Sequence, residues 1–175
     1  MRIKWPGFNE NDCIIIDLPM DTVALAQNSI NVFSEVFTPK DELHITIIGS
    51  SNGQLIQQKI NQDTMLGELL RKTFEDYDWS FRITGPVHLL SRTTEEGIEK
   101  TIILLVDMPA MKDFYVQLKI FGLIDIGTPV PPQHITLYTH NGPAGIGVPN
   151  EKTLDMLSIQ TLLYEEFERL LSPSP

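Results

Sequence analysis

Val87-His88-Leu89-Leu90-Ser91 and Ile98-Glu99-Lys100-Thr101-Ile102-Ile103-Leu104-Leu105-Val106, with the polar turn Thr94-Glu95-Glu96-Gly97 between them, decide the fold. Both runs are rich in aliphatic and β-branched residues and are bounded by turn formers, the pattern of two strands joined as a hairpin. A hairpin obliges its strands to pair antiparallel. That argues against a doubly wound parallel sheet and for an α+β chain, because helical patterns flank the hairpin on both sides.

Working outward, residues 12–18 read as a buried strand, since a run of isoleucines is bounded by polar residues and Pro19. Val23, Ala26, Ile30, Phe33 and Phe37 recur at helical spacing, so a helix is expected there, with Asp21 and Thr22 as caps and Pro39 as its stop. Residues 43–48 form the next strand and 49–53 its exit loop. A second helix is expected over 54–77, weakened at Gly67, and a strand over 79–84 before the hairpin. Pro109 opens a third helix through Met111, Phe114, Tyr115 and Leu118. After Val130-Pro131-Pro132 come a strand over 133–139 and a glycine- and proline-rich loop over 141–150. A closing helix has Leu163, Phe167, Leu170 and Leu171 on its inner stripe.

The 175 residues suit one domain over 1–175, and two fused lobes would also fit; the Ser/Pro tail 172–175 is expected to be loose. Thirteen basic against twenty-three acidic side chains give a net charge of −10. Such a chain repels polyanions at long range and has no basic stripe for gripping long nucleic acid. Any nucleotide it holds must be small, or the end of an RNA, and held by local contacts. Cys13 is the sole cysteine, so no intrachain disulfide is possible, and its apolar neighbours suggest a buried thiol. No apolar run approaches the roughly 18 residues of a membrane span. A cytoplasmic monomer without membrane contact is expected.

Leu43-His44-Ile45-Thr46-Ile47 and Gln133-His134-Ile135-Thr136-Leu137 carry the chemistry. In a strand, side chains alternate faces, so His44 and Thr46 share one face and Leu43, Ile45 and Ile47 the other; His134 and Thr136 repeat the arrangement against Ile135 and Leu137. Opening a phosphodiester needs a base to deprotonate the attacking oxygen and an acid to protonate the departing one. Two imidazoles facing each other across one phosphate can do both near neutral pH, while the two threonines donate to the non-bridging oxygens. No metal or other cofactor is required. A single His-Thr pair facing a core could equally be a satisfied structural pair; two copies in the same strand setting favour catalysis.

The doubled His-x-Thr pattern resembles the signature of the 2H phosphoesterase superfamily, which includes 2′-5′ RNA ligase-like proteins and 2′,3′-cyclic nucleotide phosphodiesterases. Asp17-Leu18-Pro19, closing the first strand, also resembles that family's opening strand. The resemblance implies a bilobal, pseudo-two-fold fold whose antiparallel sheets line a central groove, with helices packed outside. It also implies acid/base roles for His44 and His134 and phosphate-holding roles for Thr46 and Thr136. Which histidine is the base stays open. Hydrolysis of a 2′,3′-cyclic phosphate is the leading expectation. A 2′-5′ ligase or phosphodiesterase acting on cyclic oligonucleotides, a nucleotide-binding module without turnover, and a His-ligated metal site are the alternatives.

Tyr138 and His140 continue the His134 face by alternation. Tyr138 is a candidate substrate-binding residue that could stack on a base, or else pack in the core; His140 reads as a loop-edge residue and His88 as structural. Arg82, Arg92 and Lys119 are the candidate phosphate cations, with nothing to choose among them. The loop over 141–150 lacks the lysine and hydroxyl of a phosphate-binding loop and reads as a flexible rim.

Overall fold

A computed structural model of the chain describes residues 1–23, 25, 28–83 and 85–171. In chain order its elements are β1 (Ile14–Leu18), a 3-10 turn (Met20–Thr22), β2 (Ile30–Val32), β3 (Glu35–Pro39), β4 (Leu43–Ile48), α1 (Ser50–Gln62), α2 (Thr64–Asp76), β5 (Val87–Thr94), β6 (Gly97–Leu105), α3 (Ala110–Ile120), β7 (His134–His140), α4 (Glu151–Leu157), β8 (Ser158–Leu162) and α5 (Tyr164–Leu171). Antiparallel strands interleaved with helices make this the α+β fold expected. Two compact units are present. The first comprises Met1–Ile16, Thr46–Arg82 and Asp107–Val130; the second comprises Asp17–Ile45, Ile83–Val106 and Pro131–Pro175.

In the first unit an aromatic core closes around Phe74, with Trp5, Trp79 and Phe114 at ring separations of 5.3, 4.7 and 6.0 Å. Trp79 is fully buried and satisfies its indole by donating Nε1–H to Phe74 O at 2.8 Å. Tyr115 of α3 donates its hydroxyl to Ile47 O at 3.1 Å, tying that helix to the end of β4. Gly53 in α1 is required by space: a Cβ there would lie 1.7 Å from Asp12 O. The single helix expected over 54–77 is two helices, because Asp63 leaves helical geometry and its carboxylate accepts the Met65 N–H at 3.0 Å, capping α2. Residues 50–53 are helical rather than an exit loop.

The second unit is built on β7. On one edge it pairs with β6, and on the other with β3 near its C-terminal end and with β4 at Ile135. β5 lies between β6 and β8. The β5–β6 hairpin closes at Thr94↔Gly97 around Glu95-Glu96, as expected, with Gly97 at φ 133.

Among the described residues the helix expected from Val23 to Phe37 is not present; Ala26 lies outside them. Residues 30–39 are instead a β-hairpin, Val32 pairing with Glu35. Phe33 and Ser34 both have positive φ, 55° and 62°, the primed turn that matches strand twist. Fully buried Phe37 and nearly buried Val32 point inward, while Val36 is exposed, an alternation only a strand produces. Over 79–84 only an isolated bridge, Arg82↔Asp107, is present, and Thr84 is outside the described residues, as is the 172–175 tail. The closing helix buries Phe167, but Leu163 and Leu170 are exposed, so its inner stripe is narrower than expected.

Candidate functional site

β4 and β7 each present one copy of the tripeptide with the expected alternation. Leu43, Ile45, Ile47, Ile135 and Leu137 are buried, and His44, Thr46, His134 and Thr136 are half-buried. Within the second unit, Ile45 pairs antiparallel with Ile135. The β7 position that faces His44 is therefore Thr136. A one-residue slip would turn both isoleucines to the other face, forfeiting roughly 1.5–3 kcal/mol for each, so the core holds this register. Thr46, two residues along β4, shares the face of His44.

The imidazoles of His44 and His134 feel each other, since the charge of His44 opposes protonation of His134. Their surroundings differ. His134 Nδ1 lies 2.9 Å from Pro132 O, and because a carbonyl only accepts, Nδ1 carries the proton. Neutral His134 is thereby held in the tautomer whose Nε2 is an acceptor. Burial lowers its pKa, outweighing the opposing effect of the hydrogen bond that Nδ1–H donates to Pro132 O.

His44 Nδ1 is buried and has no hydrogen-bond partner, alone in this among the buried side-chain polar atoms of the described residues. Its closest carboxylate oxygen, Glu42 Oε1, is 3.9 Å away, too far for a hydrogen bond but near enough for a charge effect. Burial lowers the His44 pKa first; Glu42 and Asp17 raise it and Lys40 lowers it.

Beyond β7 the loop over 141–150 has no regular structure, as expected, yet it is anchored rather than a free rim. Ile146 N–H donates to Thr101 Oγ1 at 3.1 Å, and Ile146 and Val148 are buried with Leu90, Ile103 and Leu154. Lys40 Nζ donates to Pro143 O at 2.9 Å. Gly145 is pressed against the motif: a Cβ there would stand 3.0 Å from Thr136 Oγ1 and 3.2 Å from its Cγ2.

Tyr138 is fully buried, its ring edge-on to Phe167 at 6.0 Å, so it packs in the core instead of continuing the histidine face to a rim. The cause is a bulge. Ile102 pairs with Tyr138 and Ile103 with Thr136, which leaves Leu137 as an extra residue and breaks the alternation just past the motif. His140 donates Nδ1–H to Val36 O at 2.7 Å, and His88 bonds Ser158 Oγ at 2.8 Å and Thr161 Oγ1 at 3.2 Å, a structural setting as expected. Arg82 is paired with Asp107, and Arg92 with Glu99, whereas Lys119 sits in the last turn of α3 in the first unit.

Two residues that act on His44 went unnoticed in the sequence, Lys40 and Glu42. Both continue the even-numbered series of His44 and Thr46, but they precede β4, where alternation is no guide. Among the described residues no group of three or more His, Cys, Asp and Glu is gathered to hold a metal ion, and no helix is long and apolar enough to cross a membrane. No protein-family model, curated protein or solved structure matches the chain.

Proposed function

We propose that this chain is a phosphodiesterase of the 2H type, a single functional domain over 1–175 that hydrolyses 2′,3′-cyclic phosphates of nucleotides or short RNA ends with its own side chains. The observation that carries the reading is the Ile45↔Ile135 pairing, which sets His44 opposite Thr136 and so brings together two copies of the motif drawn from sequence positions far apart. A protonated His44 disfavours protonation of His134, so His134 stays the neutral acceptor when His44 carries the proton that acid/base catalysis needs.

In hydrolysis His134 takes the base's part. Its Nδ1–H is committed to Pro132, so Nε2 accepts the proton of the attacking water. As the new bond to phosphorus forms, the bond from phosphorus to one ribose oxygen breaks, and His44, beside the Glu42 carboxylate, gives that oxygen a proton. The product is a phosphomonoester, and the proton on His134 returns to His44 through solvent. Thr136 and Thr46 donate their hydroxyls to the non-bridging oxygens, where charge gathers in the transition state. The net charge of −10 suits small substrates over long polyanions.

Incubation with 2′,3′-cyclic mononucleotides in EDTA tests this. Turnover is expected in the parent and should fall by about 10²–10⁴-fold in both His44→Ala and His134→Ala. Saturable binding without product would replace the enzyme by a binding module, and activity restored only by added metal would replace the two-histidine chemistry.

A further inference from the structure

A phosphodiester carries a negative charge that an acidic protein must meet with a cation, and two of the cations singled out by sequence, Arg82 and Arg92, are paired with carboxylates. In the second unit Arg92 is paired with Glu99, and Lys100 holds both oxygens of Glu35 at 2.7 Å. Lys40 differs. Among the described residues its ammonium has no carboxylate partner, only the neutral carbonyl of Pro143 at 2.9 Å.

Its position is fixed from both ends. The Lys40 backbone N–H donates to Leu137 O at 2.9 Å, which sets its Cα beside β7 at Leu137, the residue after Thr136. Its Nζ meets the loop at Pro143, two residues before Gly145, whose backbone is pressed on Thr136. Lys40 also acts electrostatically on His44, four residues further on. An ammonium so placed, half-exposed and satisfied by one replaceable neutral acceptor, is a cation in reserve. A phosphate oxygen is a stronger partner than a carbonyl, because both members of the new pair are charged.

Building on the phosphodiesterase reading, we infer that Lys40 is the substrate-binding cation: on arrival of the substrate its ammonium leaves Pro143 O for a non-bridging phosphoryl oxygen beside Thr136. The exchange involves no covalent step. It couples phosphate binding to release of the Pro143 carbonyl alone, while Asn141, held by Ile98 O, and the buried Ile146 and Val148 remain anchored. The ligand class is any small phosphate ester or inorganic phosphate. Base and sugar are not read by this contact.

Lys40→Met keeps the aliphatic stem and removes the charge; Lys40→Arg keeps the charge. Binding of inorganic phosphate and of a 2′,3′-cyclic mononucleotide is measured by calorimetry in a His134→Ala background, and KM and kcat are measured with the histidines intact. Lys40→Met should weaken both ligands and raise KM by about tenfold, with a shallower salt dependence, and Lys40→Arg should restore most of the loss. Because Lys40 opposes protonation of His44, Lys40→Met should also move the pH limb belonging to His44 upward, which a purely structural residue would not do. Unchanged phosphate affinity and unchanged KM in a parent that turns over would overturn the role of Lys40 and leave the enzyme standing. A parent that cleaves no diester, but whose phosphate binding drops tenfold in Lys40→Met, would do the reverse.

Discussion

The same tripeptide, His-Ile-Thr, sits in β4 and in β7, and the two copies are not equivalent. The β7 copy is enclosed: the His134 ring is pinned to Pro132, a bulge follows at Leu137, and Gly145 presses on Thr136. The β4 copy is looser, with His44 Nδ1 unbonded and Glu42, Asp17 and Lys40 pulling its pKa in opposite directions. Identical local sequence therefore gives two differently held imidazoles. One ring is fixed in tautomer by Pro132; the other sits among charges that shift its protonation.

The largest effect that would break this comparison concerns the leaving group. A p-nitrophenyl phosphodiester departs without needing an acid, so His44→Ala should regain about 10²-fold of its lost rate on that substrate, whereas His134→Ala should regain little. Equal rescue of both variants, or rescue of His134→Ala alone, would remove the assignment of roles.

A smaller effect is expected at Gly145. Alanine there forces Thr136 to shift by a few tenths of an ångström, and kcat should drop by about tenfold or less with little change in folding stability. An unaltered kcat would mean that the Thr136 hydroxyl is not held in position by this contact.

Glu42→Gln sharpens the contrast further. Glu42 raises the pKa of His44, so its removal lowers that pKa, and the alkaline limb of kcat/KM, where the acid loses its proton, should move to lower pH. Movement of the acidic limb instead would make His44 the base.

The smallest effect is on stability. His44, His88 and His134 all have folded pKa values lowered from 6.5, chiefly by burial. Above pH 6.5 both folded and unfolded forms are neutral and the stability is complete; as pH falls below 6.5 the unfolded chain gains protons first and stability declines. Urea unfolding from pH 8 to pH 5 should show that decline, flattened in His134→Gln. A stability that rises on acidification over this range would contradict the burial of these rings.

Much of this was legible before any coordinates. Alternation around His44 and His134 gave the faces of β4 and β7 because each strand is anchored by fully buried isoleucines, and Gly97 marked the β5–β6 turn. The β2–β3 hairpin was not legible: its primed turn is made by Phe33 and Ser34 instead of Asn or Gly, and Ile30, Phe33 and Phe37 also fit a helical stripe. α4 and β8 were missed because residues 151–162 mix polar and apolar positions without a clean period, Leu154 alone being fully inward in α4. Of the residues proposed for the site, the histidines and threonines stand out by pattern. Lys40 and Glu42 do not, since their influence on His44 arises from how the chain enters β4. For Tyr138 the core position stayed one of two readings because a bulge has no signature in a single sequence.

The most direct test is a pair of crystal structures of the protein with a nucleoside 2′-phosphate and with the 3′-phosphate, the two products that opening a 2′,3′-cyclic phosphate can give. In at least one of them the phosphate should lie within about 3 Å of the Nε2 atoms of both His44 and His134, with the Thr136 hydroxyl on a non-bridging oxygen. A phosphate that in both is bound elsewhere, or touches one imidazole while the other points away from it, would contradict the account.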